Sequence, residues 1–213
     1  MLKIEALYKS YNQTTVIKNL NYEFSNTGIY RITGKNGVGK STLLRIIGGA
    51  ELADSGTVQV GKFCSLNDPL EFRRMVCWMP GEADVFPFMT ASELLRFHKK
   101  LRPTISNSEL KALIEGIGLD QFLNTRFDRL STGNKKKTLV LMTLASQSHV
   151  LLFDEPTNGL DVHSQRFFLN SLDKSRFDKL IIVIDHFAAH EHYQGSECLR
   201  LEADLISEKD REL

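Results

Sequence analysis

The sequence is poor in cysteine, has almost no excess charge and contains no long apolar run. Cys64, Cys77 and Cys198 are odd in number and far apart. That argues against a disulfide framework or a zinc site and points to reduced thiols. A net charge of +1 gives no overall pull toward nucleic acid or anionic lipid. The longest apolar stretch, Leu180 to Ile184, falls far short of the ~18 residues a membrane span needs and suits a buried strand. Lys3 and Glu5 place charges where a signal peptide would carry its apolar centre. Hydrophobic residues make up 42% and charged residues 25%, which is ordinary for a globular chain and excludes disorder as the main theme. With 213 residues, one domain or one core with a smaller inserted lobe is expected.

The periodicity changes twice along the chain. Leu2, Ile4 and Ala6 alternate with Lys3 and Glu5, which reads as a strand. Asn12-Gln13 reads as a turn before a second strand, and residues 29–33 as a third that runs into a glycine-rich loop. Ser41 to Ile47 has helical spacing, closed by Gly48-Gly49. Asp54-Ser55-Gly56 is a turn before the strand 57–60. From Thr90 the pattern is helical: Ser92 is expected to cap one helix, residues 106–117 form a second that ends at Gly116 and Gly118, and a third begins near Ser131. Val150 to Phe153 and Ile181 to Ile184 are continuously apolar, as strands covered on both faces are. Helix around 164–172 separates them.

Gly34-Lys35-Asn36-Gly37-Val38-Gly39-Lys40-Ser41 fits G-x-x-x-x-G-K-[ST], with a strand before it and a helix after it. Triphosphate oxygens need donors from several directions. Glycines let backbone N–H groups turn inward, and the helix N-terminus adds partial positive charge. Lys40 supplies a full charge to the β- and γ-phosphates, and the Ser41 hydroxyl is a hard ligand suited to Mg²⁺. The strand 150–153 ends in Asp154 and Glu155. Parallel strands present their C-terminal ends at a ligand crevice, so these carboxylates and the phosphate loop meet on one edge. Asp154 suits a Mg²⁺ contact, and Glu155 can polarise an attacking water.

With these motifs in place, the chain resembles the ABC ATPases over nearly its whole length. Asp154-Glu155-Pro156-Thr157-Asn158-Gly159-Leu160-Asp161 is similar to the family's Walker B and D-loop run, and Leu130-Ser131-Thr132-Gly133-Asn134 resembles its L-S-G-G-Q signature. His186 sits where the family keeps its switch histidine, and Tyr11 resembles the aromatic that stacks on adenine. The resemblance implies an α/β fold: a RecA-like P-loop NTPase core with an N-terminal antiparallel β layer, spanning 1–83 and 145–213, and an inserted helical subdomain at 84–144. It implies that Tyr11, Val16, Asn36, Gly37, Val38, Gly39, Lys40, Ser41 and Thr42 bind ATP, with Ser41 and Asp154 as metal ligands and Glu155 and His186 as catalytic residues. It also implies that Ser131, Thr132, Gly133 and Asn134 contact ATP held by a second subunit, with Asp161 beside them.

Read by their chemistry alone, some of these residues keep a second reading. Tyr11 could be an edge-strand tyrosine, Ser131 a plain helix cap and His186 a structural histidine. Lys135-Lys136-Lys137 lies at the wrong end of a helix dipole. Such a run is usually a solvated face, and a nearby phosphate would give it an electrostatic reason. Two departures from the family stand out. Thr132 and Asn134 replace glycine and glutamine in the signature; a β-branched Thr132 resists positive φ, so the loop is expected to be regular there or slightly altered. Gly81 stands where the family's Q-loop has its glutamine, and the neighbouring Glu82 is the candidate substitute.

The reading is therefore an ATP-hydrolysing subunit that works as a homodimer or heterodimer, with membrane-spanning permease partners at the cytoplasmic face and with no nucleic acid. The alternative is a nucleotide-gated ABC ATPase outside transport, or a low-turnover regulatory module. A small-molecule P-loop kinase would leave Ser131 and Asp161 without a role.

Overall fold

The computed structural model describes residues 1–25, 27–82, 86–185, 193 and 196–201. Two sheets carry the fold. The strands β1 (Leu2–Tyr11), β2 (Thr14–Phe24), β4 (Ser55–Val60) and β5 (Phe63–Cys64) form an antiparallel sheet in the order β2-β1-β4-β5. Asn12 and Gln13 both have positive φ, 46° and 69°, which is the two-residue hairpin turn whose twist matches its strands. The second sheet is parallel: β6 (Val76–Met79), β7 (Val150–Asp154), β8 (Leu180–Ile184), β3 (Gly28–Thr33) and β9 (Glu197–Arg200), in the order β6-β7-β8-β3-β9.

The continuous apolar runs are explained by the pleat. Successive side chains of a strand point to opposite faces, so a run without alternation fills two cores. Val150, Leu152, Ile182 and Ile184 join one cluster with Leu2, Ile4 and Phe24 of the antiparallel sheet and with Leu43, Leu44 and Ile47 of α1 (Lys40–Ile47). Phe72 of the short α2 (Pro69–Met75) belongs to the same cluster. Leu151, Phe153, Ile181 and Val183 face the other way. They pack with Leu94 of α3 (Ala91–Leu101), Leu141 of α5 (Thr132–Leu144) and Phe168 of α6 (Val162–Ser175). The helix α4 (Asn107–Ile117) lies against α5 and α6.

Two boundaries differ from the sequence expectation. Thr90, not Ser92, caps α3: the Thr90 Oγ1 accepts from the Glu93 N–H at 3.2 Å and the Glu93 carboxylate accepts from the Thr90 N–H at 2.8 Å. The reciprocal box needs its hydroxyl three residues before the acid, and only Thr90 stands there. Gly116 lies inside α4 and does not end it; Gly118, with φ 72°, is the left-handed cap.

His98 on α3 is buried, with its Nε2 3.8 Å from the Cys77 Sγ on β6. Burial, helped by the Arg102 charge, pulls its pKa from 6.5 to about 4. The folded state therefore holds this imidazole neutral while the unfolded chain protonates it. The stability this group contributes is present above pH 6.5 and is lost as pH falls toward 4. By linkage the loss is on the order of 3 kcal/mol. Urea midpoints measured from pH 7 to pH 4 should show that decline. His98→Leu should flatten the same interval; an unchanged slope would assign the decline to other groups.

Because the second sheet is parallel, β3, β6, β7 and β8 all end on one edge. That edge receives the loop 34–41 after β3, Gly81 after β6, Asp154 and Glu155 at the end of β7, and Asp185 after β8.

Candidate active site

The loop Gly34–Gly39 turns between β3 and α1. Gly34, Gly37 and Gly39 have φ of 149°, 78° and 102°. Gly39 admits no other residue: a Cβ there would lie 2.6 Å from the Val16 Cγ1 and 3.1 Å from the Val16 carbonyl. Val16, an ATP-binding residue by resemblance, thus sets one wall of the loop. α1 has no side-chain cap and no acid in its first turn, so its N–H groups keep their capacity for an anion. The Lys40 Nζ is buried and donates to the Gly34 and Lys35 carbonyls at 2.9 Å each. Burial lowers its pKa, and Glu155 and Asp154 oppose that.

A single cleft is lined by Tyr11, Val16, Asn36, Gly37, Gly39, Lys40, Ser41, Thr42 and Glu155. Val38 is buried beneath it in the core. Tyr11 is tied to α1 by a network the sequence does not announce. Its hydroxyl donates to the Glu51 carboxylate and accepts from the Arg45 Nη2 at 3.3 Å. Arg45 also donates to Glu51 at 2.9 Å and to the Thr42 Oγ1 at 3.1 Å. Burial raises the Glu51 pKa, but hydrogen bonds from Tyr11, Arg45 and Lys9 outweigh it and keep the carboxylate ionised. The Lys9 Nζ stands 5.1 Å from the Tyr11 ring centroid.

Asp154 is 5% exposed and its Oδ1 is buried without a hydrogen-bond partner. Burial pushes the Asp154 carboxyl up; a hydrogen bond with Ser41 favours the ionised form, and the neighbouring Glu155 disfavours it. Glu155 holds a left-handed backbone, φ 48°, which is costly for a residue with a Cβ and persists only when its surroundings fix it. Its N–H donates to the Ile184 carbonyl at 2.8 Å, and its side-chain Oε2 accepts from the Asn158 Nδ2 at 3.4 Å.

The signature residues are not part of this cleft. The Ser131 Oγ caps α5 by accepting from the Asn134 N–H at 3.2 Å. Thr132 is the first helical residue, so the regular backbone its β-branch requires is present. A Cβ on Gly133 would meet the Gly159 carbonyl oxygen at 2.9 Å, so the backbone leaves no room for a side chain at that position. Asp161 caps α6, accepting from the Ser164 N–H at 2.8 Å, while its other oxygen pairs with Lys137 at 2.8 Å. That Lys137 contact, with the backbone hydrogen bond from Ser164, holds the Asp161 carboxyl well below the usual carboxylate range.

The lysine run is a correction to the sequence reading. It is neither a solvated face nor a bare patch awaiting phosphate. Lys137 pairs with Asp161, Lys136 is buried and donates to the Gly81 and Glu155 carbonyls, and the Lys135 Nζ lies 5.6 Å from the Phe127 ring centroid. Glu82 is exposed and does not line the cleft. His186 lies outside the described residues. Its neighbour Asp185 accepts from the Thr157 Oγ1 at 2.7 Å and from the Tyr193 hydroxyl at 3.2 Å.

The sequence profile of the family described as ABC transporter matches residues 17–158. The uncharacterized ABC transporter ATP-binding protein YybJ of Bacillus subtilis (strain 168) is 28% identical over 188 residues, covering 87% of this chain and 86% of that protein. The linearmycin resistance ATP-binding protein LnrL of the same organism is 27% identical over 176 residues, 81% of this chain; the chain spans 56% of LnrL. The dimeric structure of MJ0796, a bacterial ABC transporter cassette, superposes with a TM-score of 0.81 at 23% identity, over 95% of this chain and 94% of that one.

Proposed function

The chain belongs to the ABC transporter family as one of its ATP-binding ATPase cassettes, and from that premise we propose that it powers transport through a separate membrane-spanning partner. In this reading the backbone N–H groups of the loop and of α1 hold the phosphates, Lys40 neutralises them, and Tyr11 offers its ring to adenine. The Glu155 carboxylate accepts the proton of the attacking water, and His186 keeps the switch role that the resemblance gives it.

The residues also fit Mg²⁺. An orphaned, buried Asp154 oxygen beside the Ser41 hydroxyl is a hard, oxygen-only donor set. Among the described residues no group of three His, Cys, Asp or Glu side chains forms a cage, and Mg²⁺ binds with few protein ligands when phosphates supply the rest. Bound there, Mg²⁺ would spread the charge of the phosphate oxygens.

One observation carries the dimeric reading: the cleft gathers Tyr11, the loop and Glu155, but not Ser131 to Asn134. The capped start of α5 is an anion-binding geometry left over, and it suits the γ-phosphate of ATP on a second chain. Ser131→Arg should therefore spare ATP binding by the monomer and abolish dimer closure. Mixed with Lys40→Ala, it should recover one intact site per heterodimer, formed by the Lys40 of one chain and the Ser131 of the other. Equal inactivity before and after mixing would argue for a self-contained site.

Among the described residues no helix is long and apolar enough to cross a membrane. The membrane path is assigned to permease subunits, on whose cytoplasmic side the cassette docks. Purification of the tagged chain from solubilised membranes, with ATPase activity measured with and without the co-purified polytopic protein, tests this. A cassette that brings no membrane protein with it, and whose activity no membrane fraction alters, would favour a role outside transport.

A further inference from the structure

Lys136 is 7% exposed, yet it carries an ammonium beside the candidate active site. Its Nζ donates to the Gly81 carbonyl after β6 and, at 3.1 Å, to the Glu155 carbonyl after β7. Four acids act on it: Glu155, Asp154, Glu82 and Asp185. One side chain of α5 thus ties together the ends of two neighbouring strands. Burying a cation is expensive unless its bonds are made, so this contact is specified and not incidental. Glu155 needs such a tether, because its left-handed backbone has to be held by its surroundings.

Gly81 complements the tether. A Cβ there would point at Asp154, 3.5 Å from its carbonyl oxygen and 3.7 Å from its Cγ. With no side chain at 81, the backbone carbonyl is what this turn offers to the site, and Lys136 takes it.

We infer that Lys136 is a positioning residue for hydrolysis: by binding both carbonyls it fixes the Glu155 carboxylate and makes its placement depend on the position of Gly81. The inference rests on the assignment of Glu155 as the residue that accepts the water's proton. A displacement of the turn at 80–82 would then reach the reacting centre through one ammonium. Catalytic geometry tolerates little misplacement, and a shift of about 1 Å can cost as much as 10²-fold in rate.

The test is a double-mutant cycle with Lys136→Met and Glu155→Gln, reading kcat and KM for Mg-ATP, ATP dissociation constants and melting temperatures. Methionine keeps the apolar stem and removes the donors. Lys136→Met is expected to lower kcat by ~10-fold or more with KM and ATP affinity within about twofold. Placed on Glu155→Gln it should cost nothing further, because the group it positions is already gone. Near-normal turnover in Glu155→Gln alone would sink the Glu155 assignment on which this rests. Low turnover there with an undiminished kcat in Lys136→Met would overturn the Lys136 inference itself. Losses that multiply in the double variant would do the same, since they mean independent roles. Should the methionine variant not fold, Lys136→Gln replaces it. Its amide is polar enough for the site but too short to span both carbonyls, and the same split between kcat and KM is required of it.

Discussion

Glu155→Gln should bind ATP as the unaltered protein does and hydrolyse it ~10²-fold or more slowly. The substitution changes one oxygen to an amide nitrogen and leaves the local structure its supports. The N–H bond to Ile184 and the Lys136 contact are both made by the backbone of residue 155, so the left-handed turn persists. What is lost is an acceptor basic enough to take a proton. The phosphate loop, Lys40 and Tyr11 are untouched, so the ATP-bound pair should accumulate and appear on gel filtration with Mg-ATP. Hydrolysis near the normal rate would remove Glu155 from the mechanism, whatever happened to dimer formation.

Lys40→Ala carries the second large effect, on affinity. Its ammonium is already desolvated and bonded to the Gly34 and Lys35 carbonyls, so engaging phosphate exchanges neutral acceptors for charged ones with little further burial. Charge-assisted bonds of this kind contribute roughly 1.5–3 kcal/mol, which is about 10- to 150-fold in dissociation constant. Calorimetric titration with ATP, performed in the Glu155→Gln background to prevent turnover, measures it directly. The same titration with a nucleoside should show little change, because Lys40 addresses phosphates. Equal ATP affinities with and without Lys40 would count against the loop as a phosphate site.

The parts legible in the sequence were those with a local cause. Val150 to Phe153 and Leu180 to Ile184 could be read as buried strands because both faces of a central parallel strand are covered. The phosphate loop was legible because its glycines and lysine answer to one ligand chemistry. α2 was not, since Phe72 is its one buried side chain and Leu70 is 71% exposed, leaving no period to detect. β9 was missed for a similar reason: at the sheet edge, only Leu199 of its four residues is buried. The Tyr11–Glu51–Arg45 network joins residues 34 and 40 positions apart, and no spacing rule connects them. The lysine run misled for a physical reason. Composition records three charges, while the fold decides separately which stem is buried and which carbonyl each ammonium meets.

The position of β3 bears on how the chain comes to be made. It leads into the phosphate loop, and it lies between β8 and β9, with Gly28 opposite Leu180 and Tyr30 opposite Glu197. Both flanking strands are synthesised some 150 residues after it. On the ribosome, β3 therefore has no sheet neighbour until β8 has emerged and is flanked on both sides only after β9, and closing loops of that size delays its pairing further. The N-terminal hairpin can form early, but the cradle for the phosphates is among the last pieces to be braced. Until β8 is made, β3 exposes its backbone hydrogen-bonding groups along both edges, which is the condition that invites pairing with another chain.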